Sequence, residues 1–179
     1  MNKIAKNKLK VFFYYLFNSL TLSKPINLHK TIHSNIFLIA SSSPSHLINF
    51  LKQISSTKKI YNILILGRTN HIQIAKKEFP HHKYLIYNYD GLFESNNIAK
   101  VLRINKTSEY DSLYFLCNNK NASGYGNILK FSLIFKKECF VYNIENKFFY
   151  LSADNIIEKL NHESLYNSLI KWYKFDYIK

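Results

Sequence analysis

The residues best equipped for chemistry stand where apolar runs break into polar loops. Ser42, Ser43 and His46 fall in "SSSPSH", at the start of a helix-like segment. Hydroxyls and unpaired N–H groups at a helix start can hold an anionic oxygen, and a histidine in the first turn can serve as a base or a phosphate contact. Arg68 directly follows the run "YNILILG", where its guanidinium could fork onto a phosphate. Asp90 ends a third run and joins His46 as a candidate for acid–base catalysis, whereas Glu109 and Asp111 precede the fourth run and read as structural. Asn118, Asn119, Ser123, Gly124 and Gly126 fill the loop "NNKNASGYG", whose amides and backbone donors suit a sugar or a phosphate. Each residue also has a plainer reading: serine capping, a surface histidine, a solvated arginine, a connecting loop.

Other chemistries are disfavoured. "SSSPS" has neither the G-x-G-x-x-G of dinucleotide folds nor the phosphate-loop pattern, so no nicotinamide or nucleoside triphosphate cofactor is expected. His81 and His82 are adjacent on a segment read as extended, pointing to opposite faces with no third ligand at metal spacing, so no metal is expected. Cys117 and Cys139 lie in apolar runs and read as small buried hydrophobes.

These loops need a scaffold, and the chain alternates short apolar runs with helical periodicity from residue 30 onward. Ile36 to Ala40 reads as a strand. It is followed by a helix with Ser43 as N-cap and Pro44 at the first position. "YNILILGR", "HKYLIYNYD", "SLYFLCN" and "CFVYNI" supply four more strands, with helices between them and a terminal helix over about Asp154 to Tyr173. "ENKFFYLS" either extends the fifth strand or forms a hairpin with it. The expectation is an α/β domain over 30–179: a Rossmann-like, doubly wound, mostly parallel five-stranded sheet with helices on both faces. Ligands in that architecture sit at the carboxyl ends of the strands, where strand order reverses. The loop after strand one and the loop after strand four would then wall one crevice, with Arg68 at its rim.

Ahead of this domain, residues 1–25 form a basic arm. Lys3, Lys6 and Lys10 would occupy one face of a helix and Phe12, Phe13 and Leu16 the other. Its apolar run is too short to span a bilayer, which takes about 20 residues. Two readings stand: an amphipathic helix resting on an anionic membrane surface, or a terminal helix packed on the domain. The chain carries 25 Lys and Arg against 11 Asp and Glu, a net charge of +14. The preference for Lys, Asn, Ile and Tyr fits an AT-rich genome. The placement of acids does not follow from codon bias, because none precedes Glu78. Such a one-sided field attracts phosphate in lipid, nucleic acid or sugar phosphate.

The succession "IFLIASSSPSHLINFLKQI", "YNILILGR", "EFPHHKYLIYNYD" and "VLRINKTSEYDSLYFLCNN" resembles the N-terminal Rossmann-like half of GT-B glycosyltransferases of the heptosyltransferase-like family, over roughly residues 35 to 143. The resemblance implies a role in cell-envelope or surface polysaccharide biosynthesis, in the cytoplasm or peripheral to the inner face of the membrane, with a sugar or phosphosugar ligand. Two departures matter. The family's first loop is usually Gly-rich and ends in an acidic catalytic base, where His46 stands here, and the donor-binding half has no counterpart. The expectation is therefore a half domain without complete transferase activity alone, with a second glycosyltransferase chain as one route to an enzyme. The alternative is a basic, non-enzymatic module for membrane or non-specific nucleic-acid binding.

Overall fold

The computed structural model describes residues 25–26, 34–57, 59–103, 109–120, 122, 124–135, 138–152 and 156. The arm, with Lys3, Lys6, Lys10, Phe12, Phe13 and Leu16, lies outside them, as do Ser123 and all but Ile156 of the expected terminal helix.

The chain order is β1 (Asn35–Ile39), α1 (Pro44–Ser55), β2 (Asn62–Gly67), α2 (Thr69–Glu78), β3 (Lys83–Ile86), α3 (Ser95–Arg103), β4 (Ser112–Leu116), α4 (Gly126–Phe135), β5 (Glu138–Tyr142) and β6 (Phe148–Leu151). The strands form one sheet in the order β3-β2-β1-β4-β5-β6. All neighbours are parallel except β5 and β6. The fold is Rossmann-like, with six strands where five were expected. The extra strand is the hairpin reading of "ENKFFYLS". Asn146 takes a left-handed conformation (φ 58°), the chain reverses over Asn143 to Lys147, and Phe148, Phe149 and Leu151 are buried.

Period-two alternation divides the strand side chains between two layers. Phe37, Ile39, Leu64, Leu66, Leu113 and Phe115 face α3 and α4, where they meet Ile98, Leu102, Leu129 and Phe131. Ile36, Leu38, Ile63, Ile65, Tyr114 and Leu116 face α1 and α2, where they meet Leu47, Phe50, Leu51, Ile72 and Ala75. The strands are therefore apolar on both faces, as parallel strands between helices must be. At the amino edge a polar row crosses three strands. Asn62 Nδ2 donates to Asn35 Oδ1 (3.2 Å), and Asn35 Nδ2 donates to Asp111 Oδ2 (3.0 Å). Asp111 thus has a structural role far from the carboxyl edge.

Helix starts follow local chemistry. Ser43 caps α1, its Oγ accepting the His46 N–H at 3.3 Å, and Pro44 fits the first turn because its missing N–H would have had no helical partner. α2 begins at Thr69, with Arg68 as N-cap and no side-chain capping bond. Phe37 lies edge-on to Phe131 at 6.2 Å and tilted against Phe135 at 5.9 Å, so it joins the central strand to α4. Phe37→Ala should lower stability by about 3–5 kcal/mol, read from urea denaturation.

Candidate functional site at the carboxyl edge

β1 pairs with β2 on one side and β4 on the other, so strand order reverses between β1 and β4. Connections leaving these two strands run to opposite faces, the arrangement in which doubly wound sheets place a crevice at the carboxyl ends. Ser41 Oγ donates to the Leu116 carbonyl and closes the floor between them. On either side of this bond lie the turn from Ser41 to Ser45 and the described residues Cys117 to Lys120, Ala122, Gly124 and Tyr125.

His46 does not face this crevice as a free base. It is buried, with its ring stacked on Tyr142 at 4.7 Å. Nε2 lies 2.9 Å from the Asn143 carbonyl oxygen, which can only accept, so the proton belongs on Nε2. Nδ1 then accepts from Ser42 Oγ at 2.9 Å. Both ring nitrogens are occupied, and Ser42, itself 5% exposed, is turned inward. Burial disfavours the imidazolium and holds the His46 pKa below its ordinary value; the bond to the Asn143 carbonyl partly opposes this. The sequence nominated Ser42 and His46 as ligand and catalytic residues, and the structure spends their polar atoms on each other.

Asn143 organises this edge and was not foreseen. Its carbonyl receives His46, its Nδ2 donates to the Lys120 carbonyl at 3.0 Å, and its Oδ1 accepts the N–H groups of Glu145 and Lys147, both at 3.1 Å. One buried side chain thereby joins the β4–α4 loop to the β5–β6 turn, while its backbone joins that turn to α1. The available signal was the "NIEN" spacing, in which an asparagine bonding to the backbone ahead of it initiates a turn. His71 adds a further tie, its Nε2 2.6 Å from the Ser42 carbonyl oxygen.

Arg68 is likewise engaged, and away from the crevice. Its guanidinium donates to the carbonyls of Tyr89 and Gly91 and lies over the rings of Tyr87 (5.9 Å) and Phe93 (5.7 Å). It gathers the β3–α3 loop around itself rather than forming the rim of the β1–β4 crevice. Asp90 is exposed in that same loop. β3 and β1 are separated by β2, a span of about 10 Å at the usual strand spacing, so Asp90 and His46 belong to different loops of the edge.

The polar surface left at this edge comes mostly from the loop after β4. Asn118 is exposed, and its backbone N–H donates to Tyr125 Oη at 2.8 Å. Asn119 is half-buried beneath it, its carbonyl accepting Cys117 Sγ at 3.1 Å. Gly124 is exposed with φ +81°, a conformation that strains other residues, and Gly126 opens α4. Ser43 and Ser45 are exposed in the turn after β1 with their hydroxyls 3.1 Å apart.

Charge at the edge is largely paired. Glu145 binds the ammonium groups of Lys120 and Lys147, which hold its carboxyl below the usual range. Glu94, immediately before α3, accepts from Asn127 Nδ2 at 3.0 Å and ties the starts of α3 and α4 together. Among the described helices none has an acidic residue within its own first turn, and Glu94 supplies a carboxylate beside the starts of α3 and α4, which leaves the N-terminal dipoles of α1 and α2 without one in sequence.

His81 and His82 depart from the extended reading. They occupy a turn after α2, their ring centroids 4.1 Å apart rather than on opposite faces, with His82 stacked on Phe79. Burial and the neighbouring His81 push the His82 pKa down to about 4. Among the described residues no group of three or more potential ligands is close enough to hold a metal. The cysteines are both buried and neither forms a disulfide, and burial pushes the Cys139 thiol up to about 12.

Two expectations follow. Asn143→Ala removes three side-chain hydrogen bonds from a buried junction and should cost about 1–3 kcal/mol in urea unfolding. Asn118→Ala, on the surface, should stay within about 0.5 kcal/mol. For pH, both imidazoles have folded-state values below 6.5, so above that pH both states are neutral and the stability is fully present. As pH falls from 6.5 toward about 4 the unfolded chain protonates first and stability is lost. Urea midpoints should therefore drop across this window, and His82→Phe should flatten the drop.

No family model, curated protein or solved structure matches this chain, so the carboxyl edge itself carries the functional reading.

Proposed function

We propose that this domain binds a sugar or phosphate-bearing acceptor at the β1–β4 switch, as a GT-B-like half domain serving cell-envelope or surface polysaccharide assembly. The observation that carries the reading is the pairing of β1 with both β2 and β4, which sets the starts of α1 and α4 on either side of one polar crevice. The start of α1 has no acid in its first turn, the Glu94 carboxylate is held at the start of α4 by Asn127, and Ser43, Asn118 and Gly124 are exposed there. Helix-terminal N–H groups favour an anionic oxygen, while hydroxyl and amide groups can orient sugar hydroxyls.

Within this reading the residues divide by task. Ser42, His46 and Asn143 hold the walls at a fixed separation, and Ser43, Asn118 and the Gly124 backbone meet the ligand. A neutral imidazole bonded through both nitrogens supplies no base, so the domain binds and orients. Any proton transfer in a glycosyl-transfer reaction would come from another chain or segment. Placement at the inner face of the cytoplasmic membrane belongs to the same proposal; no described helix is long and apolar enough to cross a membrane.

A second reading rests on a different observation, the absence of any acid before Glu78. It makes the chain a basic module for anionic membrane or nucleic acid, without small-molecule recognition. Calorimetric titration separates the two. A hexose 1-phosphate should bind the full chain, and Asn118→Ala should weaken it by about 1 kcal/mol, roughly fivefold, without changing the unfolding midpoint. An unaltered affinity in the variant would reject the crevice. Failure of the sugar phosphate alongside tight, steeply salt-dependent binding of duplex DNA or anionic vesicles would favour the second reading.

A further inference from the structure

The sheet has one edge whose chemistry specifies its own partner. Among the described residues β3 hydrogen-bonds only to β2. The Tyr87 N–H bonds to the Gly67 carbonyl at 2.8 Å, which fixes the phase of the ladder. In a parallel pair a residue directs both of its backbone groups to the same side, and the side alternates along the strand. Residues 85 and 87 therefore face β2, and Tyr84 and Ile86 present their N–H and C=O groups to the open side.

Edge strands are usually blunted by short length, lysine, proline, a bulge or inward charge. β3 is short and carries Lys83 at its first position only, so Tyr84 to Ile86 are left without charge or proline. Its central side chains are apolar or aromatic, with the Lys76 ammonium over the Tyr84 ring at 5.6 Å. Tyr84 is half-buried against the α1–α2 layer, and Ile86, on the same face by alternation, is 42% exposed, as is Ile74 of α2 at 41%. Leu85 is half-buried against the opposite layer.

We propose that two copies of the chain pair antiparallel along β3, with Leu85 opposite Leu85 of the second copy, so that the two sheets become one. This register is the one in which the outward groups match. Tyr84 of each copy lies opposite Ile86 of the other, and both pairs exchange N–H···O=C bonds using groups that β2 leaves unused. The same pairs set an aromatic ring against a β-branched side chain, a favourable cross-strand combination. Charge selects the direction. Antiparallel pairing sets the two Lys83 side chains at opposite ends of the seam, whereas parallel pairing would set them together. The interface lies on β3 and the adjoining α2 surface, apart from the β1–β4 crevice, so the proposal stands independently of the ligand.

Sedimentation equilibrium of the full chain tests it, with disulfide trapping to read the register. The wild-type chain should show a concentration-dependent dimer. Ile86→Pro removes an outward donor that β2 does not use, and Ile86→Lys places a charge against Tyr84 of the second copy. Each should weaken association at least about tenfold with an unchanged circular dichroism spectrum. Leu85→Cys should give an oxidised dimer, because a non-hydrogen-bonded antiparallel pair sets Cα atoms about 4.5 Å apart, within disulfide reach. Ile86→Cys should not, since it faces Tyr84, and the native Cys117 and Cys139 are buried. A wild-type chain that stays monomeric, a dimer indifferent to both position-86 variants, or trapping at 86 in preference to 85 would each overturn the proposal.

Discussion

A single imidazole, closed off at both nitrogens, fixes the carboxyl edge on which the rest of the site depends. His46 sits in the first turn of α1, yet its Nε2–H reaches the backbone carbonyl of Asn143, 97 positions further along the chain. Burial makes that bond stiff in two ways. The surrounding low dielectric strengthens it electrostatically, and leaving either partner unpaired would carry the full desolvation penalty of a buried polar group. The ring also stacks on Tyr142, so the helix start cannot slide along β5 without losing both the hydrogen bond and the aromatic contact. Asn143 carries the constraint onward to Lys120 and to the hairpin, and His71 brings α2 against the Ser42 carbonyl.

The electrostatics of this edge come from backbone more than side chains. Arg68 is absorbed by two carbonyls and two aromatic rings, and Lys120 and Lys147 share Glu145. What remains at the start of α1 is the partial positive charge of the helix terminus, a field that is fixed in direction and carries no side-chain entropy, whereas Glu94 faces the start of α4. Under the proposed reading, such a field would orient the oxygens of a bound ligand.

Sequence carried the architecture further than the site because the two rest on different kinds of pattern. Apolar runs such as Ile36 to Ala40 and Ile63 to Leu66 repeat a rule that any parallel sheet obeys, and Ser43-Pro44 is a local helix-start signal; both are readable without knowing what lies opposite. The roles of His46 and Arg68 were not legible, because each is decided by a partner remote in the chain. A histidine at a helix start looks the same whether its nitrogens meet solvent or the Asn143 carbonyl. Asn143 itself was hidden among many asparagines, and only the turn that reverses β5 into β6 distinguishes it. The pair at His81 and His82 was misread for a related reason: assuming an extended backbone sends neighbouring side chains apart, whereas the turn after Pro80 brings the two rings together.

The antiparallel β6 has a consequence for how the domain can be oriented on a surface. Phe148 opens β6 opposite Tyr142, at the carboxyl edge, and the Ile26 N–H bonds to the Phe148 carbonyl at 2.9 Å. β6 then runs back beside β5, with Leu151 opposite Cys139 near the amino edge, and Ile156 joins the α3–α4 layer. Pro25 and Leu151 therefore lie toward opposite rims of the sheet. A tether attached ahead of Pro25 would draw the carboxyl rim toward its support, and one attached after Leu151 would turn that rim outward. The choice of attachment point thus decides whether the crevice meets a surface or the bulk solution.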